Sequence, residues 1–393
     1  MCFCDLVAIS FATGRYLINF AIDMYLKNLS VINFKNYAQA ELNFSPGVNC
    51  FTGSNGEGKT NLLDAVHYLS FCKSFFNPVD SQSISHDAPF FVVQGTFISD
   101  ENTEEEIYCG QKRGQKKQFK RNKKEYDRLA DHIGSFPLVM VSPSDTELIT
   151  EGSESRRKFI DSVISQYNKN YLNDLICYNR ILSQRNALLK QFADSRSFDP
   201  ASLEIWDVQL IPLGEKIYNE RKKFIEDFTP VFASYYKTIS GEKEEVGLTY
   251  QSHLHENSFA DVLAKTLNRD KVLEYTTAGA HKDDIDFTIS GFPIKKYGSQ
   301  GQQKTYLIAL KLAQFDFIKK IKDTSPLLLL DDIHDKLDEK RVKQLMKLVS
   351  SDNFGQIFIT DTHAGRLADF FSKKELTLFH VKNGNVTPAT AHV

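Results

Sequence analysis

A chain of 393 residues holds two domains, or one domain carrying a large insertion, and its 41% hydrophobic and 12% aromatic content is ample for a buried core. The net charge of −2 excludes whole-molecule attraction to a polyanion, so any nucleic-acid surface must come from local patches. No stretch reaches the roughly 18 apolar residues of a membrane span, which argues against a membrane-embedded protein.

The six cysteines, at positions 2, 4, 50, 72, 109 and 177, are scattered. Cys2-x-Cys4 lacks the C-x-x-C spacing of a redox or zinc motif, so reduced cytosolic thiols are expected. Residues 1–23 are mildly apolar but have no basic start and no cleavage site, and Asp5 and Arg15 interrupt them. Met24 precedes an alternating, strand-like run, so it is expected to be the natural start and 1–23 an upstream extension. A genuine N-terminal arm is the alternative.

Residues 25–52 read as two strands joined by a turn near Lys35-Asn36-Tyr37, the second leading into a glycine-rich loop. That loop, Gly53-Ser54-Asn55-Gly56-Glu57-Gly58-Lys59-Thr60, fits G-x-x-x-x-G-K-[ST]. Glycines let the backbone fold into a cradle of N–H groups facing phosphate oxygens. Lys59 would reach the β- and γ-phosphates and the Thr60 hydroxyl would hold Mg2+. A short buried strand, Gly47–Thr52, precedes the loop. An apolar helix, Asn61–Leu69, follows and turns its N-terminus to the anion. A nucleoside triphosphate site is expected.

Residues 90–98 and 104–110 look like further strands. Gln111 to Lys124 then carries eight basic residues in fourteen: Lys112, Arg113, Lys116, Lys117, Lys120, Arg121, Lys123 and Lys124. With Arg121-Asn122 as its turn, this reads as a basic hairpin near DNA phosphates, or equally as a solvated edge hairpin guarded by lysines. Leu138–Val141 is a buried strand. From Ser153 to about Phe232 apolar residues recur at helical spacing without sustained heptads, which indicates a packed helical lobe broken at Ser195–Pro200. Arg156, Arg157, Arg180, Arg185 and Lys190 dot it.

From His281 the chain returns to strand, with a hairpin near Gly291. Ser299-Gln300-Gly301-Gln302 opens a helix whose apolar part runs Tyr306–Ile318. This start offers N–H groups, a hydroxyl and a helix dipole, hence a second anion site; alone it would be an ordinary capped helix. Leu327–Leu330 is an apolar strand ending in Asp331-Asp332. Asp331 would hold the Mg2+ shell and Asp332 would polarise the attacking water. A helix over 339–349 and a strand over 356–360 follow, with His363 just beyond. Two anion sites do not serve one γ-phosphate in one chain, so the second is expected to serve a neighbouring subunit.

This order of phosphate loop, Ser-x-Gly-Gln turn, Asp-Asp strand, Leu337-Asp338 turn and late histidine resembles the ABC-type ATPases. Within them it looks like the bacterial RecF family, similar to SMC heads. Tyr25–Leu29, Asn33–Tyr37, Arg156–Asp161 and Gly301–Thr305 carry the resemblance, which covers 24–388. It implies an α/β fold: an ABC/SMC-type ATPase head split between 24–150 and 281–393, with a helical second lobe over 151–280. It also implies a cytoplasmic, slow DNA-dependent ATPase using ATP and Mg2+. The resemblance further suggests an ATP-dependent homodimer on double-stranded DNA near gaps, loading recombinase with RecO- and RecR-type partners in recombinational repair and the SOS response. Ser299, Gly301 and Gln302 would touch the ATP of the other protomer, Asp338 would lie at the dimer seam, and His363 would sense the γ-phosphate. A strand-end histidine with no such role is the alternative for His363. Asp332 stands where most ABC ATPases carry Glu, Lys35 where an Arg is usual, and His334 where the family is often aromatic. A transporter ATPase subunit fits less well, because the span from Lys59 to Ser299 leaves room for a whole extra lobe. A chromosome-organising head would need a long coiled coil there.

Overall fold

The computed structural model describes residues 24–99, 101–241, 244–332, 339–350, 353–362, 371 and 376–389. Strand β1 (Tyr25–Phe34) pairs antiparallel with β2 (Tyr37–Asn43) around Lys35-Asn36, with Phe34 opposite Tyr37. The chain then breaks at Ser45-Pro46-Gly47, and β3 (Val48–Thr52) joins a different sheet. The two strands expected over 25–52 are therefore three, because proline has no N–H to continue a ladder. Helix α1 (Lys59–Phe71) follows the glycine-rich loop.

Strands β4 (Phe90–Ile98), β5 (Glu104–Lys112), β6 (Gln118–Arg121) and β7 (Lys124–Glu125) complete an antiparallel sheet of order β2-β1-β4-β5-β6-β7. The β6–β7 turn is Asn122-Lys123, one residue later than expected. Both residues have positive φ, 50° and 69°, as a two-residue hairpin needs to match strand twist. Strand β8 (Leu138–Val141) returns to the second sheet, and α2 (Glu147–Thr150) leads to the helical lobe.

That lobe comprises α3 (Ser153–Tyr167), α4 (Lys169–Ser195) and α5 (Pro200–Ser240), the last extending past the expected end near Phe232. Strand β9 (Val246–Gln251) and α6 (Phe259–Leu273) come next, then β10 (Asp284–Ile289) and β11 (Phe292–Pro293). These strands form an antiparallel sheet, order β11-β10-β9, so β9–β10 pairing spans the 280/281 boundary. Helix α7 (Ile294–Tyr297) precedes α8 (Gln300–Lys322), which opens at the Ser299 turn as expected, ahead of its apolar stretch. Strand β12 (Leu327–Leu330), α9 (Glu339–Val349), β13 (Ile357–Asp361), β14 (Leu376–Lys382) and β15 (Asn385–Ala389) close the chain.

The second sheet runs β15-β14-β3-β13-β12-β8, parallel except for the β14–β15 hairpin. Its strands β3, β13, β12 and β8 are buried on both faces, which is why β8 and β12 read as unbroken apolar runs. Leu328, Leu330, Ile357 and Ile359 face one core, shared with the helical lobe. Leu327, Leu329 and Phe358 face the other, shared with the antiparallel sheet. Gln356 stitches the sheets: its amide accepts from Leu26 N at 2.7 Å and donates to the Leu26 and Ser45 carbonyls at 2.8 Å each.

The helical lobe adds buried charge. Arg221, 2% exposed, donates to Asp161, to Asp283 and to the Ala280 carbonyl. Arg185, fully buried, pairs with Asp207 and Asp270. Arg156 holds Asp284 through two nitrogens, and Arg157 donates to the Asp283 carbonyl at 2.6 Å. Of the arginines noted in the helical lobe, Arg156 and Arg157 thus brace α3 to the start of β10, and Arg185 braces α4 to α5 and α6. Among the described residues no helix is long and apolar enough to cross a membrane. Cys50, Cys72, Cys109 and Cys177 are free thiols, while Cys2 and Cys4 lie outside the described residues.

Candidate active site

Strand β3 delivers the glycine-rich loop at its C-terminal end, and the loop enters α1 at Lys59. Gly53 passes so close to β14 that a Cβ there would lie 2.3 Å from the Val381 carbonyl oxygen. Lys59 Nζ folds back over the cradle and donates to the Gly53 and Ser54 carbonyls at 2.6 and 2.8 Å. Thr60 Oγ1 donates to Asp331 at 2.9 Å, which joins the start of α1 to the end of β12. Asn55, Gly56, Gly58, Asn61 and Thr360 complete the walls of a cleft of about 300 Å3 around Lys59, Thr60, Asp331 and Asp332.

Thr360 was not singled out by sequence. Its hydroxyl donates to Asp331 Oδ1 at 2.8 Å and accepts from Asp332 N at 2.9 Å, fixing both acids from the adjacent strand β13. Asp332 has φ of 48°, a left-handed bend that turns it off the strand. Burial raises the Asp331 pKa; the hydroxyls of Thr360 and Thr60 counter this, and neighbouring Asp332 adds to it. A buried carboxylate of that kind favours a cation. Thr60 and Asp331 are hard oxygen donors side by side, so they fit Mg2+, leaving its other positions for phosphate and water.

Lys35 does not enter the cleft. Its Nζ pairs with buried Asp64 of α1 at 2.7 Å. Glu57 is held from outside, since Asn36 Nδ2 donates to its backbone carbonyl at 3.0 Å and Asn383 N–H donates to its side-chain carboxylate. Neither contact carries a local sequence signal, because the partners lie in hairpins far along the chain.

Ser299 caps α8. Its Oγ accepts from Gln302 N at 3.3 Å and its N–H donates to Gln302 Oε1 at 2.7 Å, a reciprocal capping box. Gln302 Nε2 donates to Glu244 at 2.9 Å, and a Cβ on Gly301 would meet Arg341 Nη1 at 2.5 Å. Ser299, Gly301 and Gln302 are not among the residues lining the cleft around Lys59.

The basic stretch splits in two. Lys117 pairs with Asp80 at 2.7 Å and is nearly buried, and Arg121 holds Glu105. Arg113 donates to the Ala88, Ser85 and His86 carbonyls. Lys120 lies over the Tyr108 ring, while Lys112, Lys116, Lys123 and Lys124 are exposed. Asp338, His363 and His334 lie outside the described residues.

A parallel sheet with the phosphate loop at its strand ends, two acids on the next-but-one strand, and a helical lobe inserted between them define an α/β, ABC/SMC-type ATPase head. The model of the RecF/RecN/SMC N-terminal domain matches residues 25–387. The DNA replication and repair protein RecF of Phocaeicola vulgatus is 56% identical over 93% of this chain and 98% of its own length. That of Bacteroides fragilis (strain ATCC 25285) is 54% identical over 92% and 98%. The solved RecF-ATP structure of the RecFOR pathway superposes with a TM-score of 0.84 at 32% identity, covering 94% of this chain and 98% of that one. An Smc head domain from Pyrococcus furiosus shares the fold, with a TM-score of 0.56 at 18% identity over 93% and 96%. The chain belongs to the RecF family of DNA replication and repair proteins.

Proposed function

We propose that this chain is an ATP-dependent, DNA-binding clamp of recombinational repair and replication restart, working as a homodimer. Lys59 would exchange its carbonyl partners for the β- and γ-phosphates, and Thr60 with Asp331 would hold Mg2+. When bound, Mg2+ neutralises phosphate charge. Asp332 would take up a proton from the attacking water as its oxygen joins the γ-phosphorus and the bond to the ADP oxygen breaks. An Asp, one methylene shorter than Glu, suits slow turnover and hence a switch. His363 would sense the γ-phosphate, and Asp338 would lie at the seam. Double-stranded DNA near gaps would lie on the exposed lysines, with RecO- and RecR-type mediator proteins as partners.

The observation that carries the reading is the position of the Ser299–Gln302 turn. It is an exposed helix start equipped for an anion, yet it is absent from the walls of the cleft that Lys59 and Thr60 line. Two chains related by one twofold axis would each lend this turn to the other's ATP, giving two identical composite sites. Sedimentation with and without ATP and gapped duplex tests it. Ser299→Arg should leave ATP binding to the monomer nearly intact while abolishing ATP-dependent dimerisation and hydrolysis. Mixed with Lys59→Ala protein, it should restore at most one working site per heterodimer. Ser299→Arg protein that still dimerises with ATP, or that loses ATP as a monomer, refutes the clamp.

A further inference from the structure

We propose that Asn36 is a positioning residue of the nucleotide site, presetting the Glu57–Gly58 peptide so that the Gly58 N–H faces the phosphates while Asn36 itself touches none of them. The inference rests on the ATP-site reading above. In a trans peptide the carbonyl and the following N–H point in opposite directions, so anchoring one aims the other. The Glu57 carbonyl is anchored twice from outside the cradle, by Asn36 Nδ2 at 3.0 Å and by Gly384 N at 3.3 Å. Asn61 Nδ2 donates to Asn36 Oδ1 at 2.7 Å, which leaves the Asn36 amino group for Glu57. Tyr37 OH donates to the next carbonyl, Gly58, at 3.0 Å.

The turn that carries Asn36 is itself fixed. Lys35 N donates to the Ser83 carbonyl at 2.8 Å, Ser85 Oγ donates to the Lys35 carbonyl at 2.7 Å, and the Lys35 ammonium is tied to Asp64. A contact meant to aim a peptide needs such a rigid base. The approach is also close. Gly58 has φ of 113°, and a Cβ there would lie 2.4 Å from Asn36 Nδ2 and 2.9 Å from Tyr37 OH. The last glycine of the loop therefore answers to this turn as well as to the phosphates. Asn36 is exposed, so removing its side chain opens no cavity in the core.

The test uses the full chain with Asn36→Ala and the near-isosteric Asn36→Leu, and reads equilibrium binding of ATP, GTP and inorganic tripolyphosphate, with steady-state hydrolysis. Both variants should weaken ATP and tripolyphosphate by the same factor, about tenfold for one lost hydrogen bond at a charged ligand. The ratio of ATP to GTP affinity should stay unchanged. KM should rise by a similar factor while kcat at saturating ATP stays within about twofold. Loss of ATP affinity without loss of tripolyphosphate affinity would mean that Asn36 contacts base or ribose, and overturns the inference. So would a matching fall in nucleotide-free thermal stability, or variants that bind like the parent. A parental chain that binds neither ATP nor tripolyphosphate would overturn the ATP-site reading itself, and this inference with it.

Discussion

The nucleotide cleft and the helical lobe use charge in opposite ways. In the cleft, Lys59 rests on two backbone carbonyls and Asp331 on two hydroxyls, neutral partners that can be exchanged for a ligand. In the lobe, Arg221 and Arg185 are locked to carboxylates that are themselves largely buried. The first arrangement keeps charge available, and the second spends it on orientation. A basic residue on a helix is therefore no guide to a polyanion surface until its partner is known, and the same holds for Lys117 and Arg121 in the antiparallel sheet.

The sharpest way to break this contrast is Arg221→Ala. It strands Asp161 and Asp283 without their shared cation, and about 3–5 kcal/mol of stability should be lost. The urea unfolding midpoint reads this directly, and a shift equal to that of an exposed lysine substitution would show that the lobe is not held by charge. The next effect lies on DNA. Replacing exposed Lys112, Lys116, Lys123 and Lys124 by Ala should weaken duplex binding and flatten its log–log salt dependence by about 0.9 per lost phosphate contact. Stability should hardly change. An unchanged slope would assign these lysines to guarding a sheet edge.

The smallest effect is a titration. Burial lowers the pKa values of His67, His132 and His281 from 6.5 to about 4. Between those values the unfolded chain takes up protons that the folded one refuses, so protonation favours unfolding. Stability should stay level above about pH 6.5 and decline as pH falls toward about 4. His132→Gln keeps a polar group facing the Leu69 carbonyl and should make that decline shallower. Urea midpoints across the range decide it, and an identical slope in the variant removes His132 from the account.

What was legible in the sequence is what local spacing controls. Gly53–Thr60 declares its own backbone geometry, Ser299 with Gln302 spells out a capping box, and the four leucines before Asp331 announce a strand buried on both faces. The short strand Gly47–Thr52 is legible and is β3, but counting 25–52 as two strands overlooks that Pro46 breaks the ladder between β2 and β3. The β6–β7 turn was misplaced because Asn122-Lys123 takes left-handed conformations despite the lysine. The contacts that Thr360, Asn36 and Asn383 make with the site are not legible for a different reason, although Asn36 reads as part of a turn. Each acts on a residue distant in sequence, and no periodicity connects them.

The alternation of leucines in β12 has a mechanical side. The strand is a party wall, with the helical lobe leaning on one face and the antiparallel sheet on the other. Its end carries Asp331 and Asp332, so any torque between the two halves of the head is delivered where the acids sit. A load applied to either half would twist that wall and change the aim of both carboxylates. In that sense β12 works as a lever arm, and the proposed hydrolysis would answer to what the head is holding.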